Sequence, residues 1–127
     1  GNTFYATLWT QEKAYLVKGD LDARTVTVLR ENAECPSLSP DETRVAYKKR
    51  ANGTGPWHFY VPDLASGRET PLADPHSRDD QVEWLDDDRI AYGGNGKIWV
   101  VRVDGSGPPE VLVDRAYSPA AIRSDAD

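Results

Sequence analysis

Chemistry in this chain would have to come from two histidines, one cysteine, one turn serine and a scatter of aspartates. Nucleophilic catalysis needs a base beside the nucleophile and a third group that orients the base. His58 and His76 are the two imidazoles, Ser39 sits in Leu38-Ser39-Pro40, and Cys35 sits in Glu34-Cys35-Pro36. Neither a Gly-x-Ser-x-Gly elbow nor a Cys–His arrangement results, so the chain is not expected to be an enzyme. The run Asp74-Pro75-His76-Ser77-Arg78-Asp79-Asp80 could gather oxygens and an imidazole around a divalent ion. Its spacing matches neither an EF-hand nor a zinc site, so it reads as a solvated loop, and Asp86-Asp87-Asp88 reads as an acidic turn. No metal and no cofactor are expected. Gly93-Gly94-Asn95-Gly96 has the look of a phosphate cradle, but a β-rich stretch from Lys97 to Val103 follows it where a helix N-terminus would be required. It is expected to be a hairpin turn.

Charge narrows the partners. Acidic residues outnumber basic ones by 21 to 15, a formal charge of −6, which repels polyphosphate backbones and makes nucleic acid an unsuitable partner. No apolar run approaches the ~20 residues of a spanning helix, and no basic region precedes an apolar one. The start at Gly1-Asn2 lacks a methionine, as a processed end would, which leaves room for an upstream signal, anchor or domain. Cys35 is the single cysteine, so no intrachain disulfide can form, and a spectator thiol is expected.

The elements that would hold these groups are short and β-rich. Thr3 to Trp9, Ala14 to Lys18, Thr25 to Leu29, Arg44 to Lys48, Trp57 to Val61, Arg89 to Tyr92 and Lys97 to Val103 are separated by turn dipeptides such as Gly19-Asp20, Ser66-Gly67 and Asp104-Gly105. No helical stripe survives the nine prolines and ten glycines. The domain is expected to be all-β.

Repetition fixes the architecture. Arg44-Val45-Ala46-Tyr47 returns as Arg89-Ile90-Ala91-Tyr92, 45 residues on. Asp20, Asp63 and Asp104 each close a β-rich run, 43 and 41 residues apart, and each is followed by a strand ending in leucine, at Leu29, Leu72 and Leu112. A period of ~40 to 50 residues with four strands per unit is the mark of propeller blades.

At Pro36-Ser37-Leu38-Ser39-Pro40-Asp41-Glu42 the sequence resembles the TolB-like (WD-repeat-like) β-propeller repeats, whose turn reads Pro-x-Trp-Ser-Pro-Asp-Gly. The resemblance runs from residue 3 to 122. Glu42 stands where the family has glycine; the third repeat keeps the tryptophan (Glu83-Trp84) but has Leu85-Asp86-Asp87-Asp88 in place of Ser-Pro-Asp-Gly. It implies three four-stranded antiparallel blades. Blade one spans 3–31, blade two 35–73 and blade three 81–113, together a single module over 1–127. It also implies a non-catalytic binding or scaffolding module for protein partners, in a periplasmic, cell-envelope or secreted setting. The alternative is a propeller gating domain of a larger prolyl-oligopeptidase-like serine peptidase. In such a bacterial setting Asn52-Gly53-Thr54 is a plain turn, not a glycosylation site.

The two ends are incomplete in complementary ways. Pro119-Ala120-Ala121-Ile122 follows Leu112 at the spacing of an innermost strand, and blade one has no innermost strand of its own. Three blades are too few to close a ring. Two explanations fit: a head-to-tail homodimer forming a six-bladed ring, with residues 119–122 donated in trans to blade one, or a fragment of a longer propeller.

Binding is expected on the rim that carries the loops between second and third strands and the crossovers between blades. It gathers Gln11, Glu12 and Lys13, then Lys48, Lys49, Arg50, Trp57 and His58, then His76, Arg78, Asp79 and Asp80, and finally Asn95, Lys97, Arg115 and Tyr117. Trp57 beside the basic run is the strongest candidate anchor; alternatively Trp57 packs between blades and the basic run is solvated.

Overall fold

A computed structural model of the protein describes residues 2–11, 13–50, 55–74, 78 and 80–122. These form eleven strands in three antiparallel sheets, with no helix among the described residues. Sheet one holds β1 (Thr3–Trp9), β2 (Ala14–Asp20) and β3 (Thr25–Glu31). Sheet two holds β4 (Ala33–Leu38), β5 (Val45–Lys49), β6 (His58–Pro62) and β7 (Glu69–Pro71). Sheet three holds β8 (Glu83–Trp84), β9 (Arg89–Gly94), β10 (Lys97–Arg102) and β11 (Glu110–Asp114). Within each sheet the strands lie in chain order, which is the up-and-down meander of a propeller blade.

The turns follow from their residues. Asp20, Asp63 and Asp104, the periodic aspartates, each accept from backbone N–H groups just ahead: Asp20 from Asp22 and Ala23, Asp63 from Ala65 and Ser66, Asp104 from Ser106. Such Asx turns reverse the chain between the last two strands of each sheet. Asn95 and Gly96 both take positive φ, 54° and 74°, so β9 and β10 are joined by the tight hairpin turn that the glycine run implies.

One strand bound differs from the sequence reading. The inner strand of sheet two begins at Ala33 rather than at Pro36, seven residues beyond Leu29, where the repeat spacing puts it, because Ala33 and Glu34 pair with Lys49 and Lys48 ahead of a bulge at Cys35, whose φ is 55°. Residues 119–122 form no strand within this chain, and Ile122 is 99% exposed.

Two apolar cores lie between sheets. Leu16, Ala33, Val45 and Tyr47 fill the first, with Tyr5, Leu29, Leu38, Tyr60 and Leu64 packed against them. The larger second core includes Ala46, Phe59, Val61, Leu72, Val82, Trp84, Ile90, Tyr92 and Val101. The small Ala46 beneath the Phe59–Tyr92 pair, whose centroids are 4.7 Å apart, lets sheets two and three approach closely.

Candidate functional site: the loop-rich rim

The described parts of the crossovers between sheets share one rim with the β1–β2 and β9–β10 turns and with Arg50 and Trp57. Backbone bonds hold them there: Asn32 N–H donates to Ala14 C=O, Arg50 N–H to Asn32 C=O, Arg78 N–H to Trp57 C=O and Ala116 N–H to Gly96 C=O. Where sheets one and two meet, Trp9, Lys13, Ala14, Asn32, Glu34, Arg50 and Trp57 line a cleft of about 50 Å³.

Trp57 organises this cleft. The half-buried indole carries Lys48 Nζ 4.6 Å from its centroid and the Arg50 guanidinium 4.4 Å from it, so two cations rest on the ring. Lys48 is itself buried, 3.7 Å from the Glu34 carboxylate on the neighbouring strand, where the two are cross-strand partners. Lys49 points the opposite way, bonding Glu69 Oε2 at 2.6 Å and resting over Tyr60. The basic run therefore alternates between faces of β5, as strand geometry requires, and only Arg50 is left at the rim.

Other expected rim residues divide. His58 opens β6 and is half-buried; Asn95, Arg115 and Tyr117 are exposed, and Lys97 is half-buried. Arg78 departs from the expectation of an open rim residue: it is 5% exposed, its Nε donates to Asp74 Oδ2 at 2.8 Å, and its guanidinium lies over Tyr92 and Trp99. Gly94 makes room for it, since a Cβ there would sit 2.4 Å from Arg78 Nη1. His76, Asp79, Glu12 and residues 52–54 lie outside the described residues. Trp9, 61% exposed, belongs to the cleft and escaped the sequence reading, although its place at the end of a strand just before Gln11 to Lys13 was a usable signal.

The remaining candidate groups serve structure. Ser39 Oγ donates to Asp41 and accepts from Arg44 N–H, which occupies the hydroxyl in the turn. The bond from Ser39 comes first among the causes that hold the Asp41 carboxyl below its ordinary range, followed by those from Thr43. Tyr92 donates to Asp74, and burial followed by that bond pushes the phenol well above its usual range; Tyr47 behaves likewise against Glu69. Burial works to raise Glu69, but bonds from Lys49 and Tyr47 outweigh it and leave the carboxyl below its ordinary value. Among the described residues no group of three or more His, Cys, Asp or Glu could hold a metal ion, and no helix is long and apolar enough to cross a membrane.

No family model and no curated protein matches the sequence. Solved structures do match. The putative TolB from Agrobacterium tumefaciens aligns with a TM-score of 0.69 at 16% identity, over 88% of this chain and 45% of that one. An acylaminoacyl peptidase aligns at 0.63 and 18% identity, over 89% of this chain and 23% of that one. The β-propeller domain of the Trilobed protease from Pyrococcus furiosus, described as having an open velcro topology, aligns at 0.58 and 18% identity, over 88% and 39%. This chain thus spans less than half the length of each. Its three sheets are consecutive blades of a β-propeller, and the fold is that of TolB-like propellers.

Proposed function

We propose that the chain is a non-catalytic binding and scaffolding module that holds a protein partner at its loop-rich rim, in the cell envelope, the periplasm or outside the cell. The observation that carries this reading is the pairing of exposed Trp9 with Trp57 in one cleft. Arg50 stacks on Trp57 and, among the described residues, meets no carboxylate. Tryptophan and arginine are the residues that most often anchor protein interfaces. His58, Asn95, Lys97, Arg115 and Tyr117 extend the surface around the rim. Capture from an envelope extract by the immobilised chain tests it: a partner retained by the wild type is lost with Trp9→Ser or Arg50→Glu. If both variants retain the same partner, the rim is not the binding surface.

The second half of the ring is supplied, in this reading, by another copy of the chain, with Pro119, Ala120, Ala121 and Ile122 donated as the innermost strand of sheet one. Truncation after Asp114 is expected to abolish that dimer. A second function is favoured by the likeness to peptidase propellers: a gating domain for a serine peptidase encoded in the same reading frame. A Gly-x-Ser-x-Gly segment downstream in that frame decides for it; its absence there decides against it.

A further inference from the structure

Two donors at the cleft between sheets one and two are unspent. Arg50 is half-buried with its guanidinium on the Trp57 ring, yet among the described residues no carboxylate or carbonyl accepts from it. The lysines around it differ: Lys13 holds Glu31 at 3.0 Å, Lys48 holds Glu34 at 3.7 Å and Lys49 holds Glu69 at 2.6 Å. Arg50 therefore leaves the cleft with an uncompensated positive charge among the described residues. The indoles divide in the same way. Trp84 and Trp99 donate to the Ser37 and Gly94 carbonyls, whereas among the described residues nothing accepts from the indole N–H of Trp9.

The openness of this cleft is its own. Tyr5, Thr7 and Trp9 share one side of β1 by strand alternation. Tyr5 packs in the core between sheets one and two, and Thr7 Oγ1 accepts from Cys35 N–H of sheet two. Trp9 thus lies on the side turned toward sheet two, and its 61% exposure is not that of a face awaiting another blade. Sheet two, which carries Arg50 and Trp57, has a core on either side of it.

Size and polarity say what fits. A water needs about 10–15 Å³ of such space, so the 50 Å³ of the cleft takes roughly three or four heavy atoms, a valine or leucine side chain but no indole. Both unspent groups are donors, and the cleft's own carboxylate, Glu34, is held by Lys48. The ligand must bring an acceptor, and the planar guanidinium matches a carboxylate through two parallel bonds. A phosphate, with nearly twice the charge, calls for a cluster of cations where Arg50 stands alone. The chain's charge of −6 repels an acidic tract, so a single carboxylate beside an aliphatic group is the fit.

We infer that the partner segment held at this cleft carries a valine or leucine that enters between the lining residues Trp9 and Trp57, and an aspartate or glutamate whose carboxylate takes the Arg50 guanidinium and the Trp9 indole N–H. The two side chains stand two residues apart, so that an extended segment turns both to the same side. The inference rests on the reading that the rim is the binding surface, and it adds the chemistry the partner must present there.

Titration of the isotope-labelled chain with the blocked peptide acetyl-Ala-Leu-Ala-Asp-Ala-amide, followed at the Trp9 and Trp57 indole N–H resonances, tests it. Both resonances are expected to move to saturation. The same peptide with asparagine in place of aspartate should bind about tenfold more weakly to the wild type, and the two should bind alike to Arg50→Gln. Equal affinities for the wild type, a comparison that needs no variant, overturn the carboxylate assignment, as does tighter binding of the peptide with phosphoserine at that position. Indole resonances that no peptide moves overturn the inference as a whole. In that case a partner whose capture still depends on Trp9 and Arg50 leaves the rim reading standing, whereas loss of that dependence removes both.

Discussion

The indole N–H of Trp84 donates to the carbonyl of Ser37 at 2.8 Å, joining the innermost strands of two adjacent blades. Trp84 is 1% exposed and packs in the larger core, while the neighbouring Gln81 side chain bonds Cys35 and Pro36 carbonyls on the same inner strand. One side chain therefore fixes both the packing and the relative height of β4 and β8. Trp84→Phe keeps most of the apolar volume but leaves the Ser37 carbonyl without this donor. The expected loss is about 1–3 kcal/mol of unfolding free energy, and Trp84→Ala about 3–5 kcal/mol, measured by urea denaturation. If Trp84→Phe costs nothing, the bond does not position the blades.

Arg78 and Asp74 form a buried pair, with side chains 5% and 2% exposed, and Tyr92 donates to the same carboxylate. Removing Arg78 takes a charged donor from the buried Asp74 carboxylate, so Arg78→Met is expected to destabilise by about 3–5 kcal/mol. Arg78→Met with Asp74→Leu should recover much of that loss, because the buried carboxylate that lost its charged donor is gone as well. Additive losses in the double variant would show that the two residues act separately.

How much of this was legible in the sequence is best seen in the aspartates and the basic run. Asp20, Asp63 and Asp104 are local: each makes its bond within three residues, so period and turn can be read together from one stretch of chain. The rim depended on contacts between distant segments. Lys48 looked like a rim cation because its partner Glu34 lies fourteen positions earlier and meets it only through the β4–β5 register. Arg78 looked exposed because nothing local announces that Gly94 leaves space for its guanidinium. Strand alternation in Lys48-Lys49-Arg50 was readable, and applied strictly it separates the two lysines onto opposite faces.

Glu42 tests one departure from the repeat motif among several. It occupies the position that is glycine in TolB-like repeats and takes φ of 60°, with its N–H donating to the Ser39 carbonyl at 2.9 Å. The turn thus keeps the left-handed conformation that glycine adopts without strain. Glu42→Gly is expected to leave the fold intact and shift stability by about +0.5 to +1 kcal/mol, reduced by the greater freedom of glycine in the unfolded chain. Thermal unfolding checks the sign: a clear loss of stability would mean that the Glu42 side chain contributes more than its backbone strain costs.

Glu69 sets the acid limit of the contact between sheets one and two. It bonds Lys49, Tyr47 and Arg30, and their combined effect overcomes burial and lowers its pKa below the ordinary value of 4.5. A carboxyl that binds its proton less tightly folded than unfolded contributes stability above the unfolded pKa. That contribution is expected to fade as pH falls below 4.5 and through the lower folded value. Glu69→Gln should cost about 1–2 kcal/mol at neutral pH and flatten the stability profile in the acid window, because the substituted side chain no longer titrates. At the alkaline end the raised Tyr47 phenol works in the opposite sense, its contribution present below the ordinary value of 10.0 and lost as pH climbs beyond it. Tyr47→Phe removes that alkaline loss and, by taking one donor from Glu69, also shrinks the acid limb in part, whereas Glu69→Gln removes the Glu69 share of the acid limb altogether. Urea denaturation of both variants across pH separates the two groups; identical acid limbs in wild type and Glu69→Gln would show that Glu69 does not set the limit.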